Sequence, residues 1–371
     1  MYDQIREDPV YIMLYTVVTV TAVLTSSYLL FRRGNAFASD ITPPAHLRRW
    51  TGIFFASLAL NHLWYMPIFF LSSSEDIMMI DLVGGLLDSM TVFPLAIIVL
   101  LAMLQDCKRP LWPVAVMMAP IVLAGVWCVV TRSYALLPVL IGYLLLMCIG
   151  LIIYMVRALR KYGRWLRDNY ADLEHKEVWQ SFVVLAIIML VFAVYAFIYE
   201  GPLYQYSMQV IILVLVFYLL WRVETLSDLS LSQQPENQPI DLSIPAKREI
   251  DVRQKAPTAN FGPLLQKSCV DTQLYLQHDL TLSQLAHAIG TNRTYLTNYF
   301  IHEGITYNAY INDLRINHFV SLYHEAVATE SPITAQQLAH DSGYRSYSTF
   351  SLAFKQRMGQ SVTAWMRNTA E

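Results

Sequence analysis

Seven runs of apolar residues, near 9–31, 50–71, 77–104, 111–130, 135–156, 179–199 and 207–221, fill most of the first 221 positions. A helix needs about 20 apolar residues to cross a bilayer, and lipid admits only segments whose backbone polar groups are satisfied internally. This pattern therefore predicts a bundle of seven transmembrane helices. Composition agrees, since 15% of the 371 residues are charged against about 25% in a soluble domain, which argues against an ordinary soluble enzyme. The net charge of −2 points to no partner, but the distribution of charge is informative. Residues 1–221 hold fourteen basic and fourteen acidic residues, mostly between the apolar runs, and the last 150 hold twelve and fourteen, a soluble density. The expected organisation is a membrane part over 1–221, a helix extension and linker over 222–261, and a soluble part over 262–371.

The N-terminus (Asp3, Arg6, Glu7, Asp8) lacks the basic start of a signal peptide, and its apolar run is too long for one, so it reads as a retained first span. Lys and Arg mark cytoplasmic loops. Arg32, Arg33, Arg48 and Arg49 follow span one, and Lys108 and Arg109 follow span three. Arg157, Arg160, Lys161, Arg164, Arg167 and Lys176 follow span five. Against these twelve, the opposite side carries only Arg6 and Arg132. Seven spans then place the N-terminus outside and everything after Trp221 in the cytoplasm.

Ionisable side chains inside a bilayer need a partner or a role. His62 in span two and Asp88 in span three each lie near mid-membrane, roughly 17–18 Å along their helices at about 1.5 Å per residue. Asp81, seven residues before Asp88, shares its face nearer the outer surface. Asn61, Trp64 and Tyr65 add polar and aromatic groups. A contact between His62 and Asp88 is expected. It reads either as an outward-opening sensor pocket for a signal ligand or as an interhelical hydrogen bond that fixes packing.

No Lys lies between Lys176 and Lys247, which excludes a retinal Schiff base in the last span. No hydrolytic triad, zinc-protease motif or phosphate loop occurs in the spans, so no catalytic residue, metal or cofactor is assigned. Cys107, Cys128, Cys148 and Cys269 are scattered and form no disulfide framework or CxxC pair. Leu219, Val223 and Leu226 form a short coiled-coil-like seam where the last span continues toward the cytoplasm. Residues 232–260, rich in Pro, Gln, Asn and Ser, read as a flexible linker.

The soluble part contains an internal repeat. Gln284, Leu285, Ala286 and His287 up to Gly290 recur as Gln337, Leu338, Ala339 and His340 up to Gly343, a shift of 53 residues. After each Gly come a polar turn, an amphipathic helix and a Phe, Phe300 in one copy and Phe354 in the other. The small Ala permits close helix approach, the Gly makes the turn, and Asn292 or Ser346 can cap the next helix. Two such units joined by a continuous helix over about 306–325 are expected, which makes the whole chain all-α.

The residues from Leu282 to Gly290, with Tyr295, Leu296, Phe300, Gly304, Tyr310 and Arg315, belong to a recognisable pattern. So do Ile333 to Gly343, Tyr344 to Lys355, Gly359 to Ser361, and Trp365 to Arg367. Over about 264–368 the chain resembles the AraC/XylS-type DNA-binding domain of bacterial transcription regulators. That resemblance implies two helix-turn-helix units, whose recognition helices enter successive major grooves of double-stranded DNA. By position, it makes Arg293, Thr294, Thr297 and Asn298 in the first unit, and Arg345, Tyr347, Ser348 and Ser351 in the second, candidates for base contact. Lys355 and Arg357 are candidates for phosphate contact.

Three residues depart from the family pattern: Leu352 where a polar or basic residue is common, Val362 in place of a proline, and Phe319 in place of a small residue on the linking helix. Residues 262–371 carry seven Lys/Arg and eight Asp/Glu, where DNA-binding domains are usually basic, so binding should lean on a homodimer and on membrane tethering. The leading expectation is a membrane-bound, one-component transcription regulator. The alternatives are a transporter or membrane enzyme whose helical tail binds a protein partner, and a regulator freed by proteolysis within 232–260.

Overall fold

The computed structural model describes residues 8–32, 34–38, 41–71, 73–198, 202–229, 261–329 and 334–370. Among them the chain is all-α, with one isolated bridge between Tyr170 and Thr281 and no strand. It divides into two compact units, one of residues 1–162 and 175–230, the other of residues 163–174 and 231–371. The expected linker at 232–260, Arg33, Asp3, Arg6 and Glu7 lie outside the described residues.

In the first unit, α1 spans Pro9–Phe31. Asp8 caps it by accepting from Val10 N at 3.0 Å and Tyr11 N at 3.4 Å, and Pro9 opens the first turn, where its missing N–H leaves no bond unmade. Helix α2 (Ala45–Tyr65) passes into a 3-10 turn, Met66–Phe69, that contains Pro67. Its first turn includes Arg48 and Arg49, which the sequence placed in a loop. Arg48 is buried and paired with buried Glu224 at 2.9 Å.

The third apolar run breaks into α3 (Ser74–Met90) and α4 (Val92–Ala102) at Thr91, with φ −126° and ψ −67°. Pro94 explains the break, because its ring crowds the carbonyl four residues earlier. Helix α5 covers Trp112–Thr131. Helix α6, Leu137–Asn169, runs 13 residues beyond the expected end of the fifth run. Arg157, Arg160, Lys161, Arg164 and Arg167 therefore sit on a helix rather than in a loop, in keeping with the good helix propensity of Arg and Lys. Helix α7 is Trp179–Ile198, and α8 is Pro202–Thr225, which begins five residues earlier than expected.

Among the described residues, six helical segments are long and apolar enough to cross a membrane: Pro9–Phe31, Ala45–Phe69, Ser74–Ala102, Trp112–Thr131, Pro138–Asn169 and Leu203–Thr225. The expected sixth span falls on α7, whose described side chains give the shorter apolar stretch Trp179–Ile188. Leu219, Val223 and Leu226 are buried in the folded chain. The expected coiled-coil seam is thus already covered by this chain.

Beside residues 163–174, the second unit contains α9 (Phe261–Leu265), a π-helical turn (Gln266–Val270) and a 3-10 turn (Leu274–Leu276). Helices α10 (Leu282–Ile289), α11 (Arg293–His302), α12 (Tyr307–Ala328), α13 (Ala335–Asp341), α14 (Tyr347–Met358) and α15 (Val362–Ala370) follow. It has two cores. One gathers Leu265, Leu285, Leu296, Phe300, Tyr307 and Ile311, and the other gathers Ile316, Phe319, Leu338, Phe350, Phe354 and Trp365. Ile311 and Ile316 belong to the same helix, so α12 is built into both cores.

Candidate nucleic-acid interface and membrane cavity

Each helical hairpin follows from local chemistry. Thr281 Oγ1 accepts from Gln284 N at 3.2 Å while Gln284 Oε1 accepts from Thr281 N at 2.8 Å, a capping box worth about 1 kcal/mol. Gly290 ends α10 in the left-handed region, and the Asn292 side chain accepts from Tyr295 N at 3.0 Å to start α11. In the second copy Thr334 caps α13 and Ser346 caps α14. Gly343, at φ +90°, makes the turn between them, and a Cβ there would lie 2.8 Å from both Cα and O of Leu276. Buried Leu296 and Phe300 anchor α11, as Phe350 and Phe354 anchor α14, leaving the opposite faces polar and exposed.

The candidate contact residues lie on those faces. Thr294 and Asn298 are exposed on α11, while Arg293 and Thr297 are half-buried and linked by a 2.8 Å bond from Thr297 Oγ1 to Arg293 O. Arg345, Tyr347 and Ser348 are exposed at the start of α14, with half-buried Ser351 one turn on. Lys355 is exposed near its end. Two of the basic residues are held by carboxylates: Arg345 pairs with Asp279 at 3.2 Å, and Arg357 grips Asp313 through both Nε and Nη2. Exposed pairs of this kind are worth about 0–1 kcal/mol, so exchange for a phosphate is energetically open.

Two of the three departures named above, Phe319 and Val362, are packing residues. Phe319 is fully buried, with its ring 4.5 Å from Phe350 and 5.6 Å from Phe354, and Val362 is buried in the same core. Leu352 is exposed on α14. Arg315 is 1% exposed and donates from Nε to Tyr275 O at 2.7 Å and from Nη2 to Gln277 O at 2.8 Å. Burial lowers its pKa, and these carbonyls meet its N–H groups.

In the first unit, His62, Asp81 and Asp88 all line one cavity of about 470 Å³, together with Tyr11, Tyr15 and Gln209. The expected pairing of His62 with Asp88 is replaced by another. Asp88 accepts from Asn61 Nδ2 at 2.7 Å and from Tyr65 OH at 3.1 Å. Positions 61 and 65 share a helix face, and 62 is turned about 100° from 61, toward Gln209 Oε1 at 3.3 Å from its Nε2. Close approach makes room for Tyr65, since a Cβ on Gly84 would fall 2.3 Å from its ring. Tyr15 donates to His62 O at 2.5 Å, and the Tyr15 and His62 rings lie 5.0 Å apart.

Tyr11, Tyr15, Gln205 and Gln209 were not singled out in the sequence. Their spacing of four residues within each pair was the available signal, because it puts each pair on one helix face. Among the described residues no group of His, Cys, Asp and Glu could hold a metal ion.

Residues 285–368 match the family model of a helix-turn-helix domain, of the AraC type. No curated protein and no solved structure matches the chain.

Proposed function

We propose that this AraC-type domain, whose family points to DNA-binding transcription regulation, makes the chain a membrane-bound one-component regulator. Residues 1–221 form its sensor, 222–261 the connection and 262–371 the DNA-reading part, active as a homodimer. The observation that carries the reading is the pair of capped helices α11 and α14, each with a buried aromatic anchor on one face and an exposed polar face opposite. Helix α12 has 22 residues, about 33 Å at 1.5 Å per residue. That length is close to the turn of about 34 Å separating successive major grooves.

Arg293, Thr294, Thr297 and Asn298 read one groove, and Arg345, Tyr347, Ser348 and Ser351 the next, while Lys355 and Arg357 take phosphates. The apolar helices lie in the bacterial inner membrane with the C-terminal part in the cytoplasm. The cavity around His62, Asp81 and Asp88 receives the signal. Mapping chromosomal DNA bound by the full-length protein tests this reading. Discrete sites are expected for the parent and their loss for Arg293→Ala with Arg345→Ala, whereas unchanged sites in that variant would refute the placement of the recognition helices.

A further inference from the structure

The strongest unexplained feature of the second unit is the segment that follows helix α6. Tyr170 pairs with Thr281 in an isolated antiparallel bridge, and Ala171 N donates to Leu280 O at 3.3 Å. Asn308 Nδ2 donates to the carbonyls of Tyr170 and Ala171, at 3.2 and 2.6 Å. Ala171 is buried in the core of the first helix-turn-helix. Three residues on, Glu174 reaches the start of α14. Its Oε2 accepts from Thr349 Oγ1 at 2.9 Å and from Ser346 Oγ, while Ser346 Oγ also caps the helix by accepting from Thr349 N at 3.3 Å. Glu174 N in turn donates to Oδ1 of buried Asp172 at 3.0 Å, which shapes the turn.

A carboxylate that accepts from two hydroxyls at the positive end of a helix occupies the environment that helix N-termini and Ser/Thr side chains offer to a DNA phosphate. The N-terminal residues of a recognition helix are also those that enter the major groove. Glu174 thus sits where nucleic acid must arrive, bringing a like charge to a polyanion.

We propose that residues 170–174 are an intramolecular latch in which Glu174 stands in for a DNA phosphate at Ser346 and Thr349. The latched conformation is the DNA-excluding one. Binding requires the carboxylate to leave, after which the same two hydroxyls contact the DNA backbone. The latch begins at the residue after Asn169, the last of α6, so a displacement of that helix bears directly on Glu174. The proposal rests on the DNA-binding reading above.

The test uses the full chain in phosphatidylcholine nanodiscs, titrated with a fluorescent random-sequence duplex pool at low salt. If about one molecule in ten is unlatched in the parent, Glu174→Gln raises apparent affinity about tenfold, whereas Glu325→Gln, the same charge change on an exposed site of α12, does not. Equal affinities for the parent, Glu174→Gln and Glu325→Gln overturn the latch, as does an equal gain in both variants. Loss of binding in Lys355→Ala with Arg357→Ala, the residues assigned to phosphates, keeps the DNA-binding reading standing in that event, and an absence of binding by every protein overturns both. As a second measurement, Glu174→Cys with Ser346→Cys in a Cys107→Ser, Cys148→Ser background is oxidised to a cross-link. Cross-linking should abolish binding and reduction should restore it, and binding by the cross-linked protein overturns the proposal.

Discussion

The Arg315 guanidinium lies 5.4 Å from the centroid of the Tyr344 ring, joining the helix that links the two helix-turn-helix units to the turn of the second. Its N–H groups also hold the carbonyls of Tyr275 and Gln277, just before the first unit. One buried cation therefore ties three separate stretches of chain. Arg315→Met removes hydrogen bonds from a charged donor worth about 1.5–3 kcal/mol each and a cation–π contact of about 1–2 kcal/mol. Because Met is spared the cost of burying a cation, a net destabilisation of about 3 kcal/mol is expected, read as faster amide exchange across 275–277 and 307–328 in the full-length protein. Exchange like that of the parent would contradict the role given to Arg315. Arg315→Lys should recover little, because an ammonium lacks the planar fork.

The two repeat glycines are alike in sequence and unlike in space. Gly290 at φ +80° has open space around it, while Gly343 at φ +90° abuts the Leu276 backbone. Gly290→Ala bears only the left-handed conformation, about 1–2 kcal/mol. Gly343→Ala must also displace backbone and should exceed about 3 kcal/mol in total. Chemical denaturation monitored by amide exchange in α10 and α11 for Gly290→Ala and in α13 and α14 for Gly343→Ala separates them, and equal effects would contradict the close approach of Gly343 to Leu276.

Burial pushes the Cys269 thiol up to about 11, against about 8.5 for a free thiol. Folding thus favours the protonated form. The stabilisation is fully present below about pH 8.5 and is lost as pH rises through the folded value. At pH 8 maleimide should label exposed Cys107 at once and Cys269 only after unfolding. Mass spectrometry of the labelled peptides checks this, and native labelling of Cys269 at the rate of Cys107 would contradict it.

The cavity makes a functional prediction. Asp88→Ala removes the acceptor that lies 2.7 Å from the Asn61 amide and 3.1 Å from the Tyr65 hydroxyl, and His62→Ala removes the ring beside Tyr15. If the cavity receives the signal, each variant changes the conditions under which chromosomal sites are occupied. Occupancy maps identical to the parent in both variants would leave these residues a packing role alone.

Much of this architecture is legible in the sequence, because apolar length and the 53-residue repeat report directly on spans and hairpins. What hydropathy misreads is where a helix stops. Arg157 to Arg167 end the apolar run but not α6, since charge ends lipid solubility without ending helix propensity. The cavity was half legible. Asp88 and His62 stand out as ionisable groups in apolar runs, but which neighbour each one meets depends on a helical rotation of about 100° per residue, and that rotation gives Asp88 to Asn61. The contact of Glu174 with Ser346 and Thr349 had no sequence signal, because it joins positions more than 170 residues apart through tertiary packing alone.

The membrane-tethered reading requires the DNA-binding part to face the chromosome, and a topology reporter fused after Glu371 measures this directly. An enzyme active only in the cytoplasm should be active in that fusion, and one active only in the periplasm should be silent. The reverse pattern would place α11 and α14 on the side without DNA and contradict membrane-bound transcription regulation outright.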